Sequence, residues 1–194
     1  MNIYDFDDTI YDGDTGIDII KYSLIRHPFL TLRSLFKAAM LYKKYRNKEI
    51  ELDLLKENLL KFVFQIKNHK EYINKFVESH MKNIKPWYKE RQTDNDILAT
   101  ASYDLWISLF AKNLGIKHVI CTKTDDNGCI VGKNCKGEEK VIRLKKEYPK
   151  KKFVCAYSDS AADIPILELA DKAYVVEGNE LIKYKKGFNF KRSR

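Results

Sequence analysis

The chain has 194 residues, 44% of them hydrophobic, and a formal net charge of +9. That length and apolar content exclude a disordered chain and fit one domain with a sizeable core, or a core with a smaller insert. No basic and apolar leader precedes the first motif, and no uncharged run approaches the ~20 residues of a spanning helix, so a cytoplasmic protein is expected, with reduced thiols at Cys121, Cys129, Cys135 and Cys155.

Residues 3–6 open with a β-patterned run, and Asp5, Asp7 and Asp8 crowd at its end. Residues 16–91 are helix-patterned throughout, with candidate helices at 16–26, 29–46, 51–64 and 70–81. Such a block is too long for one crossover and reads as an inserted helical unit. Beyond it, strand-sized runs at 97–100, 118–122, 153–157 and 173–176 alternate with helical patterns at 103–114, 138–148 and 161–170. Gly115 and Pro149 supply helix stops. Asp126-Asn127-Gly128 predicts a small β-hairpin within 124–134. The alternation predicts an α/β protein with a doubly wound, Rossmann-like parallel sheet. Residues 1–15 and 92–194 would form that core, and 16–91 an all-helical cap.

Ligands of open parallel sheets bind at the C-terminal ends of the strands. Asp5, Asp7, Thr100 and Asp159 all fall at such ends. Carboxylates packed this closely repel one another unless a hard cation shares the site, and Mg²⁺ suits oxygen donors. Lys140 falls in the first turn of a helix, where the helix dipole disfavours a cation by roughly 0.3–1 kcal/mol. An anion partner would explain it.

Asp5-Phe6-Asp7-Asp8-Thr9 matches the DxDx[TV] signature of the haloacid dehalogenase (HAD) superfamily. The run ending in Thr100 resembles its second motif, Lys140 its third, and Ser158-Asp159-Ser160-Ala161-Ala162-Asp163 its fourth. The resemblance spans the whole chain, with the helical insert in the place of the family's cap. It implies a phosphatase in which Asp5 is the nucleophile and Asp7 the general acid and base. It implies that Thr100 and Lys140 bind phosphate, and that Mg²⁺ is held by Asp5, Asp159 and the Asp7 carbonyl. Asp163 would support the site from behind. The sequence departs from the family at Asp8 and Ser158, where Gly is common. Plainer roles stand beside these. Ser102 either meets the phosphate or caps the next helix, and Ser160…Asp163 also reads as a helix capping box.

The stretch around CKGEEKVIRL and AYSDSAADIPILELADKAYVV looks closest to subfamily IB, which holds phosphoserine phosphatase-like and phosphatidylglycerophosphatase C-like enzymes. A phosphomonoester on a lipid or amphiphile is the first substrate expectation, and a soluble ester such as phosphoserine the second. From residue 19 to 48 there is no acid, and PFLTLRSLFKAAMLYKKYR carries apolar residues at helical spacing. Two readings stay open: the apolar face packs inside the cap, or it meets an anionic membrane at the inner face. The tail KYKKGFNFKRSR adds six positive charges. A basic nucleic-acid-binding protein is a more distant alternative, since no nucleic-acid motif is present and no specific nucleic acid is expected as a partner.

Overall fold

The computed structural model describes residues 1–190. The end of the basic tail, 191–194, lies outside the described residues. Six strands form one sheet: β1 (Asn2–Tyr4), β2 (Asp96–Tyr103), β3 (His118–Thr122), β4 (Cys155–Ser158), β5 (Lys172–Glu177) and β6 (Glu180–Lys183). Their order is β3-β2-β1-β4-β5-β6, with the first five parallel and β6 antiparallel at the edge. The chain therefore winds outward from β1 in both directions, and the crevice beside β1 is the topological switch point.

Nine α-helices accompany the sheet among the described residues: α1 (Thr15–Arg26), α2 (Pro28–Arg46), α3 (Leu52–Leu60), α4 (Phe62–Gln65), α5 (His69–His80), α6 (Pro86–Arg91), α7 (Asp104–Leu114), α8 (Glu138–Glu147) and α9 (Ile164–Leu169). Alternation along the strands sorts the core into two layers. Tyr4, Phe6 and Leu98 face one layer, with Phe76 of α5, Tyr88 of α6 and Trp106 and Phe110 of α7. Ile3, Ile97, Ala99, Ala156 and Val175 face the other, with Val141 and Leu144 of α8 and Ile166 and Leu167 of α9. Tyr4 stacks on Tyr157, which stacks on Tyr174, across three neighbouring strands. Helices α1–α6 all lie between β1 and β2 in sequence as a helical insert, of which α5 and α6 also pack against the sheet. Among the described residues, no helix is long and apolar enough to cross a membrane.

The differences from the sequence pattern have local causes. β2 runs three residues past Thr100, because the ladder with β3 slips between Ala99 and Tyr103 and then resumes. The segment expected as a hairpin at 124–134 makes a single bridge, Thr124 to Ile130, around the Asp125–Gly128 turn. Two further backbone bonds cross it, from the Asp125 N–H to the Cys129 carbonyl and from the Val131 N–H to the Lys123 carbonyl, and α3 holds its returning arm, Glu57 accepting from the Ile130 N–H and Asp53 from the Asn134 N–H. The helix expected at 51–64 breaks at Lys61 into α3 and α4. The one expected at 161–170 starts as a 3₁₀ turn, Ala161–Asp163, before Pro165 opens α9. Strand β6 was not foreseen, although Gly178-Asn179 between two β-patterned runs is a two-residue hairpin turn.

Candidate active site

The sheet brings the four sequence motifs together. Asp5 directly follows β1, its N–H bonded to the Tyr157 carbonyl of β4 at 3.0 Å, so the first and fourth motifs lie side by side. Thr100 lies within the neighbouring β2, and Lys140 enters from the first turn of α8. Gly137 precedes that helix with φ +58° and ψ −124°, a conformation open essentially to glycine alone. That turn is what directs Lys140 inward.

Lys140 is fully enclosed. Its Nζ donates to Asp5 Oδ1 and to Asp163 Oδ2, both at 2.7 Å. Burial works to lower its pKa, but Asp163 and Asp5 prevail and hold it above the ordinary lysine value. Asp163 also accepts from Ser158 Oγ at 2.8 Å. The Ser158 hydroxyl in turn accepts from the Ser160 N–H. The capping pattern is present too, with Ser160 Oγ accepting from the Ala162 N–H. The Asp163 carboxylate is not part of it, since it turns to the lysine.

Asp7 has different neighbours. Its Oδ1 accepts from the Thr15 N–H at 2.7 Å and its Oδ2 from Ser102 Oγ. Ser102 also meets Thr15 Oγ1, which accepts from Trp106 Nε1. Ser102 therefore sits in β2 against Asp7, and Tyr103 takes the N-cap position of α7. Burial raises the Asp7 pKa to about 6, against the pull of Ser102 and Thr15. Burial raises Asp159 to about 6 as well, and Asp5 well above the usual carboxylate range. Thr100 Oγ1 accepts from the Ser102 N–H, which leaves its hydroxyl proton available.

Three contributors were not foreseen as site residues. Thr9 Oγ1 lies 3.4 Å from Asp5 Oδ2 and 3.2 Å from Asp159 Oδ1, and accepts from the Asp159 N–H. The buried Lys85 donates to the carbonyls of Asp8 and Gly178, pinning the acidic loop from below. From α3, Lys56 donates to the Ala101 carbonyl and to Asn134 Oδ1; burial lowers its pKa to about 8. Thr9 was visible in the motif. The two lysines carry no sequence signal apart from their type.

These groups enclose a cavity of about 240 Å³. Asp5, Asp7, Asp8, Asp14, Asp159 and Asp163 line it against only Lys136 and Lys140, and Thr100, Ala101 and Ile17 complete the wall. A phosphate dianion entering this cavity would be repelled by the excess of carboxylates. Oxygen donors with surplus negative charge suit a hard divalent cation. Among the described residues no three His, Cys, Asp or Glu side chains group tightly enough to hold a metal on their own. The set implied by the motifs needs only two, Asp5 and Asp159, with the Asp7 carbonyl as third donor.

A doubly wound sheet with convergent carboxylates at the switch point and helices inserted after its first strand defines a capped α/β protein with its candidate site at the crevice. Residues 3–168 match the family described as haloacid dehalogenase-like hydrolase, and the chain belongs to that family. It is 37% identical over 83 residues to "Protein CicA" of Caulobacter vibrioides, a match covering 39% of this chain and 37% of that protein. Solved structures share the fold. A protein of unknown function from Bordetella pertussis Tohama I superposes with TM-score 0.72 at 18% identity, covering 90% of this chain and 88% of its own. A phosphoserine phosphohydrolase-like protein from Francisella tularensis follows with TM-score 0.57 at 16% identity, covering 90% and 87%.

Proposed function

We propose that this chain is a Mg²⁺-dependent phosphomonoester hydrolase working through an aspartyl-phosphate. The observation that carries the proposal is the contrast between its two adjacent acids. Burial raises Asp5, and its ion pair with Lys140 opposes that rise and draws it toward the charged, nucleophilic form. Asp7 is held by two donors with a pKa near 6, suited to trading a proton near neutrality. In this reading one Asp5 oxygen attacks phosphorus while the bond to the ester oxygen breaks. Asp7 gives its proton to that leaving oxygen. Asp7 then takes a proton from water, which attacks phosphorus and frees Asp5 and inorganic phosphate. Thr100 and Lys140 hold the phosphoryl oxygens, and Ser102 orients Asp7. Asp5, Asp159 and the Asp7 carbonyl would hold the cation, whose chemistry is to neutralise the phosphate as it nears the carboxylates.

Residues 1–15 and 92–194 form the catalytic core in this reading, and 16–91 the cap, whose Ile17 reaches the cavity. The resemblance of the stretches around Lys140 and Asp159 favours subfamily IB. The substrate we propose first is the phosphomonoester of a lipid or amphiphile, because the cap carries the exposed basic and apolar helix described below. The small cavity and the phosphoserine-type name of the Francisella relative support a soluble ester as the second reading.

The test is phosphate release with Mg²⁺ or with chelator, from soluble esters and from lipid phosphomonoesters in mixed micelles. Release that needs Mg²⁺ and is abolished in Asp5→Asn, with the fold intact by circular dichroism, is expected. Wild-type-like turnover by that variant would overturn the mechanism.

A further inference from the structure

Helix α2 is built inside out. The stripe it turns toward the protein is small and hydroxylated: Thr31, Ser34 and Ala38 are its buried residues. Ser34 Oγ lies 2.6 and 2.8 Å from the Asn58 and Leu59 carbonyls of α3, so a polar contact docks the helix. One row of its large apolar side chains faces solvent, while Leu30, Leu35 and Leu41 are half-buried and Leu30 packs against the core. Phe29 is 89% exposed, Leu32 55%, Phe36 68% and Met40 57%, and Ile25 at the end of α1 is 81% exposed. The α2 members recur at three- and four-residue spacing, so they form one ridge along a helix about 28 Å long. This ridge does not pack inside the cap.

The ridge is bordered by cations. Arg33, Lys37 and Lys44 lie along one flank, Lys43 and Arg46 at its C-terminal end, and no acid occurs between residues 19 and 48. Beside it, between α2 and α3–α4, a cleft of about 120 Å³ is lined by Arg33, Lys37 and Lys61, with Asn58 and Gln65. An apolar strip with a cationic border and an adjoining basic cleft is complementary to a layer of apolar chains under anionic headgroups. It is poorly complementary to a second copy of itself, because a symmetric contact would bring the two cationic borders together.

We propose that α2 is a docking face for an anionic phospholipid surface. Phe29, Leu32, Phe36 and Met40 enter the acyl boundary, and Arg33 and Lys37 meet headgroup phosphates at the cleft. The inference stands on α2 alone and does not depend on what the cavity at β1 hydrolyses.

The experiment is co-sedimentation of the full chain with vesicles of phosphatidylglycerol and phosphatidylcholine, and of phosphatidylcholine alone. Binding to the anionic vesicles only is expected. The double variant Phe29→Ser, Phe36→Ser keeps every charge and alters only exposed side chains. Its vesicle affinity should fall by about tenfold or more, with an unchanged circular dichroism spectrum and melting temperature. Absence of binding at low salt would overturn the proposal, as would equal binding by the variant, which would reduce the contact to charge. Light scattering covers the rival occupant: a concentration-dependent dimer that the variant abolishes would assign the ridge to self-association and overturn the lipid assignment.

Discussion

Asp163 and Lys140 meet at 2.7 Å across 23 positions of sequence, and both are buried. The contact ties the first turn of α8 to the 3₁₀ turn after β4 and aims the lysine at Asp5. A buried cation between two carboxylates is costly to break, since either partner left alone is an uncompensated charge.

Replacing Lys140 with alanine should therefore destabilise the protein by about 3–5 kcal/mol at neutral pH. With the lysine gone, nothing offsets the burial that raises Asp5, so the folded variant holds a proton there that the unfolded chain has released, and the loss should shrink as the pH falls toward 5. Urea unfolding at pH 8 and pH 5 measures both. A loss equal at the two values would contradict the charge account.

Ser102 acts on Asp7. Its hydrogen bond is among the contacts that lower an acid raised chiefly by burial. In Ser102→Ala the limb of the kcat profile that reports Asp7 should move to higher pH, by about one unit. kcat should fall while KM changes little. An unmoved limb would reduce Ser102 to packing.

Asp8 has φ +52°, the left-handed region in which an L side chain is strained. Asp8→Gly should relieve that strain, net of the greater freedom of unfolded glycine, for a gain of about 0.5–1 kcal/mol, or about 2–4 °C in Tm. It also removes a charge that raises Asp159. A lower Tm in the variant would show that the Asp8 carboxylate itself supports the loop.

Burial raises Asp7 and Asp159 from 3.8 to about 6. Between those values the folded, metal-free chain holds protons that the unfolded chain has released, so its stability contribution falls as the pH rises through the window. Asp159→Asn should flatten that fall. Mg²⁺ should raise the wild-type Tm above pH 6 and raise the variant's much less. Thermal melts in chelator and in Mg²⁺ across pH 4–8 test this, and an equal Mg²⁺ response in both proteins would remove Asp159 from the cation site.

Much of this was legible in the sequence because the relevant signals are local. His118–Thr122 carries its β-pattern between turn residues and forms the strand as expected. Asp5, Thr100, Lys140 and Asp159 converge because each follows or opens a readable element. What was not legible depends on contacts between distant segments. The 124–134 segment turns back on itself as its sequence indicates, but that α3 would hold its returning arm through Glu57 and Asp53 could not be read from it. Ser158 stands where Gly is common, and only the structure shows its hydroxyl donating to Asp163. The spacing in α2 revealed an apolar face, but spacing is blind to which face meets the protein; that is decided by Ser34 and its carbonyl partners on α3.

The central place of β1 also bears on how the protein is made. Asn2 pairs with Asp96 on one side and Cys155 on the other. The strand leading into Asp5 is thus translated before both of its neighbours, and the second emerges some 150 residues later, roughly 8–30 s at ordinary elongation rates. Through that interval the acidic loop has no folded sheet to sit on, and the helices of the cap are complete before the sheet beneath them. Such long-range pairing makes for slow folding. The crevice beside β1 is complete only once a strand made far later has paired there.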